Sequence, residues 1–161
     1  MIRAYQQSHR SEVCRVFDCS KPYELASGGV IESFVPLATD EKRMTDFSNS
    51  TIFVWDEAGT LRGFIGNSGS FIGWLFVDRS AFRKGIGRAL LRYLLASTPG
   101  EPWLWAMKNN QAAISLYRSE GFDIVEERSS HNGGLPCKAV KLCYSRKKPN
   151  QSPQPTRRTG G

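Results

Sequence analysis

Between Thr51 and Val77 the chain reads TIFVWDEAGTLRGFIGNSGSFIGWLFV, three apolar runs separated by Asp56-Glu57-Ala58-Gly59 and by Asn67-Ser68-Gly69-Ser70. Both breaks are turn-forming, so the pattern predicts three successive antiparallel strands. From Lys84 to about Ala96 the apolar period lengthens, and Ile86, Leu90, Tyr93 and Leu94 form the stripe of a helix. Trp103 to Ala106 reads as a buried strand after Pro102. Asn110 to Glu120 reads as a second helix, opened by a capping residue and closed by Gly121. Two strands, near Phe122–Glu127 and Cys137–Tyr144, complete the pattern and are joined by a loop containing Asn132-Gly133. At the N-terminal end, Ile2–Tyr5 predicts a short strand, and Val13, Val16 and Phe17 fall at helical spacing behind Ser8 and Ser11. The stretch CSKPYELASGGVIESFVPLATDEKRM, from Cys19 to Met44, is broken by Pro22 and the Gly28-Gly29 pair and reads as a long irregular loop of the functional or mobile kind.

Strands on either side of helices predict a mixed α/β sheet, antiparallel in its meander and parallel in its strand-helix-strand portion. A length of 161 residues suits one domain, residues 1–144, followed by a tail of residues 145–161. The formal charge of +7 invites a nucleic-acid reading, but its distribution argues otherwise. The first 144 residues hold all 15 acidic and 17 of the 22 basic residues, which leaves +2 on the body and +5 on the tail SRKKPNQSPQPTRRTGG. That tail has no apolar residue and is expected to be disordered and solvated. No apolar run approaches the roughly 20 residues of a membrane span, and Met1-Ile2-Arg3-Ala4 lacks a signal-peptide core, so the expectation is a cytoplasmic protein without a membrane partner. Cys14, Cys19, Cys137 and Cys143 contain no Cys-x-x-Cys pair and the histidines are only His9 and His131; no metal site is expected, and Cys14 and Cys143 read as small core residues.

The junction VDRSAFRKGIGRALL, from Val77 to Leu91, carries the first candidate chemistry. A strand that passes through a glycine-bearing loop into a helix leaves backbone N–H groups unpaired and pointing one way. Gly85 and Gly87 remove the Cβ atoms that would hold a ligand off, and the helix dipole adds partial positive charge, which makes a pyrophosphate seat. Arg83, Lys84 and Arg88 add whole charges around it. Neither the dinucleotide fingerprint, whose third glycine is replaced by Leu90, nor a P-loop run is present.

The second motif is NNQAAISLYRSEGF, from Asn109 to Phe122. With it, residues 2 to 144 resemble the GNAT superfamily of N-acetyltransferases. Gly85 and Gly87 behind GWLFV match the family's first signature, while Asn110, Ala113, Tyr117, Gly121 and Phe122 match its second. The resemblance implies a GNAT-like α/β (α+β) fold, a mixed, mostly antiparallel sheet of about six to seven strands with about four helices. It implies acetyl-CoA as cosubstrate, with no metal. The pyrophosphate seat then comprises Phe82, Arg83, Lys84, Gly85, Ile86, Gly87, Arg88 and Ala89; the pantetheine arm pairs with the backbone of Phe76 and Val77 and bonds Asn110. One departure stands out: the family's Arg or Gln position is Phe82, with Arg83 one place late.

The implied chemistry is acyl transfer from a thioester to a primary amine of a small molecule or peptide, by direct attack in a ternary complex. An alkyl amine is mostly protonated at neutral pH and must lose a proton first. The oxyanion needs an N–H donor near Phe76 or Val77, and the thiolate needs a proton, for which Tyr117 is the candidate acid. Asn110 and Tyr117, about two turns apart, share a helix face. For the base, SFIGWLFV offers no acid, leaving Glu32, Asp78 or relayed water. The acceptor side is expected near Tyr23, Glu32, Phe34 and Trp74. Similar proteins are commonly homodimers. The rival reading is a non-catalytic CoA-binding or nucleic-acid-associated module on the same fold.

Overall fold

The computed structural model describes residues 1–146. A seven-stranded sheet is ordered β1-β2-β3-β4-β5-β7-β6, from β1 (Ile2–Ala4), β2 (Thr51–Glu57), β3 (Thr60–Ser68), β4 (Phe71–Val77), β5 (Trp103–Met107), β6 (Phe122–Asn132) and β7 (Leu135–Tyr144). Four helices cover it: α1 (Arg10–Ser27), α2 (Glu41–Ser48), α3 (Ile86–Ser97) and α4 (Gln111–Ser119). The mixed, mostly antiparallel sheet and the helix number agree with the sequence reading.

The pleat divides the core. Phe64 joins Val13, Val16, Phe17 and Phe47 from α1 and α2, while the next residue, Ile65, joins Leu90, Leu94, Ile114 and Tyr117 from α3 and α4. Successive strand residues point to opposite faces, so α1 and α2 lie on one side and α3 and α4 on the other.

The segment read as loop from Cys19 to Met44 is a correction. α1 runs straight through Pro22 to Ser27, because Val13, Val16, Phe17, Lys21 and Leu25 keep one buried stripe that outweighs the bond Pro22 cannot make. The Gly28-Gly29 pair does stop it. Gly29 has φ +71°; its N–H bonds Ala26 O at 3.0 Å and the Val30 N–H bonds Leu25 O at 2.9 Å, a Schellman ending in which Val30 packs against Leu25. α2 was also missed; Asp40 caps it, its side chain accepting from Arg43 N. The cap of α1 is His9 rather than Ser8 or Ser11. β6 and β7 extend further than their apolar residues suggested, meeting at Gly133-Gly134, with φ +55° and +79°, the two-residue turn whose twist suits a hairpin.

β4 and β5 are parallel, as a crossover through a helix requires, but they pair only at Phe71 and Trp103. Beyond that rung the strands part. The Asp78 N–H bonds Arg62 O, so by antiparallel alternation Phe76 directs its backbone to β3, and Leu75 and Val77 direct theirs toward β5. The Tyr144 N–H bonds Pro102 O and the Lys108 N–H bonds Lys138 O, which by the same logic leaves Trp105 and Met107 facing β4. The described residues thus hold a wedge-shaped gap lined by unpaired backbone. No helix among them is long and apolar enough to cross a membrane.

Candidate active site

The gap opens onto the junction singled out in the sequence. Asp78 ends β4 and caps a short turn, Arg79–Ala81, accepting from the Ser80 N–H and hydroxyl at 3.1 Å each while its other oxygen receives Arg15 Nη1 at 2.9 Å. Burial acts to raise the Asp78 carboxyl, but these bonds outweigh it and hold the group below its ordinary range. Asp78 is therefore a fully engaged turn residue and does not serve as a free base.

From Arg83 to Arg88 every backbone N–H lacks an acceptor among the described residues; the Ala89 N–H bonds Gly85 O at 3.0 Å, which ends the series and removes Ala89 as a donor. Arg83 adopts φ +62° and Gly85 φ +81°. The left-handed conformation costs a non-glycine residue about 1–2 kcal/mol, strain of the kind retained at binding sites. Alternating such residues turns successive N–H groups into a concave nest for an anion, and open space surrounds the position a Gly85 Cβ would take. These residues fit a diphosphate.

The side chains divide. Arg83 and Lys84 are exposed and carry no ion pair among the described residues. Arg88 differs from them: its guanidinium is bound to Glu120 and to the Ser119 hydroxyl, the latter at 2.9 Å. Phe82 stands 40% exposed, edge-on to the Tyr23 ring at 5.9 Å, and Arg79 lies over that ring at 4.0 Å. Tyr23 thus packs against the phosphate-loop residues Phe82 and Arg79. Trp74 is core, and Glu32 is exposed on a short turn, Ile31–Ser33.

On α4, Asn110 is a helix cap, its Oδ1 accepting the Ala113 N–H at 3.3 Å. Tyr117 is buried against Phe122, ring centroids 5.6 Å apart, and its hydroxyl makes no hydrogen bond among the described residues. Burial pushes the phenol well above its ordinary value, and the negative charge of Glu24 adds to the effect.

Glu24 and its neighbour Lys21 were missed in the sequence. Lys21 is 7% exposed; its Nζ donates to Glu24 Oε1 at 2.9 Å and lies 5.7 Å from the Phe76 ring centroid. The signal was the i, i+3 spacing, hidden while Pro22 was taken as a helix break. On the far side of Lys21 is a cavity of about 320 Å³, lined by Phe17, Leu25, Phe34, Asp40 and the hairpin tip at Asn132-Gly133. Of the residues expected on the acceptor side, Phe34 alone lines it. All four cysteines are free and half-buried, so Cys14 and Cys143 are less enclosed than expected. Among the described residues there is no cluster suited to a metal ion.

A family model described as an acetyltransferase (GNAT) domain matches residues 48–124, from the end of α2 into β6. The chain is 37% identical over 93 residues to peptidyl-lysine N-acetyltransferase YiaC of Escherichia coli (strain K12); the match covers 57% of this chain and 60% of that protein's length. Its fold is similar to that of a GCN5-related N-acetyltransferase from Rhodopseudomonas palustris, with a TM-score of 0.78 at 17% identity over 90% of this chain and 94% of that one. It is also similar to the ribosomal-protein-S18-alanine N-acetyltransferase of Escherichia coli, with a TM-score of 0.69 at 20% identity over 94% and 98%. Residues 48–124 thus match a GNAT acetyltransferase domain, and the fold of the chain is similar to that of the N-acetyltransferases named above.

Proposed function

We propose that this chain is an acetyl-CoA-dependent N-acetyltransferase that transfers an acetyl group to a primary amine by direct attack in a ternary complex. One observation carries the reading: the unpaired N–H groups of Arg83 to Arg88 stand at the mouth of the gap between β4 and β5, within the same domain as the largely buried Tyr117. When bound, acetyl-CoA supplies the thioester. The nest would hold its diphosphate, with Arg83 and Lys84 adding charge. The backbones of Leu75 and Val77 would pair with the pantetheine arm as an added strand, in place of the Phe76 backbone, which β3 already uses. The Val77 or Leu75 N–H is the donor nearest in kind to an oxyanion hole. Tyr117, kept protonated by its burial, would give a proton to sulfur.

Among amines, a lysine side chain in a peptide is favoured, because the 37% identical relative is a peptidyl-lysine N-acetyltransferase. The test is calorimetric titration with acetyl-CoA followed by amine-dependent release of CoA thiol, using an N-terminally blocked lysine peptide. Binding and release support the reading. Binding without release from any amine in a wider panel would leave a CoA-binding module instead. Of the tail expected to be solvated, Arg146 is instead docked on the body, donating to Gly100 O at 3.1 Å and Leu95 O at 2.9 Å; residues 147–161 lie outside the described residues, and the reading assigns them no role.

A further inference from the structure

We propose that Glu24, anchored by Lys21, holds the acceptor's ammonium group and takes its proton, so that the acceptor is an alkyl amine delivered as a cation from the cavity side. The inference rests on the acetyltransferase reading of the same site.

Burying an ammonium group is costly unless it is paired, and an apolar residue at position 21 would complete the α1 stripe with Phe17 and Leu25 at no such cost. The pair is placed where the reaction needs a charge. Lys21 forms part of the cavity wall, reaches over Phe76 in β4 and ties down one oxygen of Glu24. The other oxygen, Oε2, has no hydrogen-bond partner among the described residues, and the side chain is 29% exposed. The negative charge of Glu24 also adds to the raising of the Tyr117 phenol.

Three other carboxylates are occupied and a fourth is exposed. Asp78 is bound to Arg15 and Ser80, Glu12 is bound to Arg15, Asp40 caps α2 and pairs with Arg43, and Glu32 is exposed on its turn. The titratable groups facing Glu24 are Lys21 on its own helix and Tyr117 on α4; Asp40, Lys42, Arg43 and Asp46 stand around the cavity.

The step balances as follows. The ammonium gives one proton to Glu24 Oε2, and the freed nitrogen lone pair forms the N–C bond to the thioester carbonyl. The C–S bond breaks with its electron pair on sulfur, which takes the Tyr117 proton; the second amine proton restores Tyr117, and Glu24 returns its own to solvent. The products are an amide, a thiol and one released proton.

The test compares the intact protein with Glu24→Gln on two nucleophiles, the blocked lysine peptide and hydroxylamine, which is already largely unprotonated at neutral pH. Glu24→Gln is expected to bind acetyl-CoA normally, to lose ~10²-fold in kcat/KM on the peptide at pH 7, to recover as pH approaches the pKa of the free lysine amine, and to keep its rate on hydroxylamine. If Lys21 left unpaired prevents folding, the double variant Lys21→Met, Glu24→Gln is read in the same way. An undiminished peptide rate, or an equal loss on both nucleophiles, overturns the Glu24 assignment alone. Absence of CoA release by the intact protein with either nucleophile overturns the acetyltransferase reading, and this inference falls with it.

Discussion

Arg92 grips Glu120 with two parallel contacts, Nε to Oε2 at 2.9 Å and Nη2 to Oε1 at 3.0 Å. Arg88, one turn earlier in α3, reaches the same carboxylate, so the helix that begins at the anion nest is fastened to the end of the helix that carries Tyr117. Hydrogen bonding from Arg92 holds the Glu120 carboxyl below its ordinary value of 4.5 against the opposing effect of burial, with Arg88 adding to the lowering. A depressed folded-state pKa contributes stability above the unfolded value, and this is lost as pH falls through the folded one. Denaturant melts at pH 7 and at pH 3 should therefore show a larger loss for the intact protein than for Glu120→Gln. Parallel losses would remove the pair as a source of acid lability.

Gly85→Val tests the nest. Nothing lies within 4 Å of the added Cβ, so the penalty comes from φ +81° and amounts to about 1–2 kcal/mol of stability. The displaced N–H groups should weaken acetyl-CoA binding by ~10-fold or more by calorimetry. Gly85→Asn, which tolerates the left-handed conformation, should bind more tightly than Gly85→Val, and equal affinities for the two would mean that the conformation at this residue does not govern binding.

Arg83→Gly separates strain from charge. Relief of φ +62° should raise the melting temperature by a few degrees, equivalent to about 1 kcal/mol. Loss of an exposed cation should weaken acetyl-CoA binding at low salt and matter little at high salt. An affinity unchanged at both salt concentrations would show that the nest holds phosphate through its backbone alone.

Tyr117→Phe should fold and bind acetyl-CoA like the intact protein, since the hydroxyl makes no hydrogen bond among the described residues, and should lower turnover ~10²-fold. Steady-state kinetics beside calorimetry reads both quantities. Turnover within twofold of the intact protein would take Tyr117 out of the chemistry.

The parts of this molecule that were legible beforehand are those where a local pattern and the tertiary structure agree. The meander from Thr51 to Val77 alternates because one face packs on α1 and the other on α3, and Asn110 sits where its cap and its spacing to Tyr117 both require. The N-terminal third was less legible because Pro22 is a strong local signal against helix, overruled by five buried positions on α1 that are counted only when the sheet beneath them is known. That error concealed Lys21 and Glu24. Arg88 has a partner that the local pattern could not show: it stands beside the glycines in sequence, and its guanidinium is bound to Glu120, 32 residues away. Which strand residues face the gap was likewise invisible, because the assignment of Phe76 to β3 depends on register.

The single rung between Phe71 and Trp103 has a consequence for how this protein tolerates heritable change. Groups that belong to the main chain cannot be deleted by a codon substitution, and both the nest and the gap are made of such groups. On the proposed reading, the part of the cosubstrate's grip that the backbone supplies is thereby insulated from drift at positions 82 and 84, so long as the backbone keeps its course. The cavity beside Lys21 is walled by side chains from α1, the segment before α2, α2 and the hairpin tip, and has no such insulation. If that cavity admits the acceptor, as proposed, substrate preference is the property that single mutations in this scaffold change first.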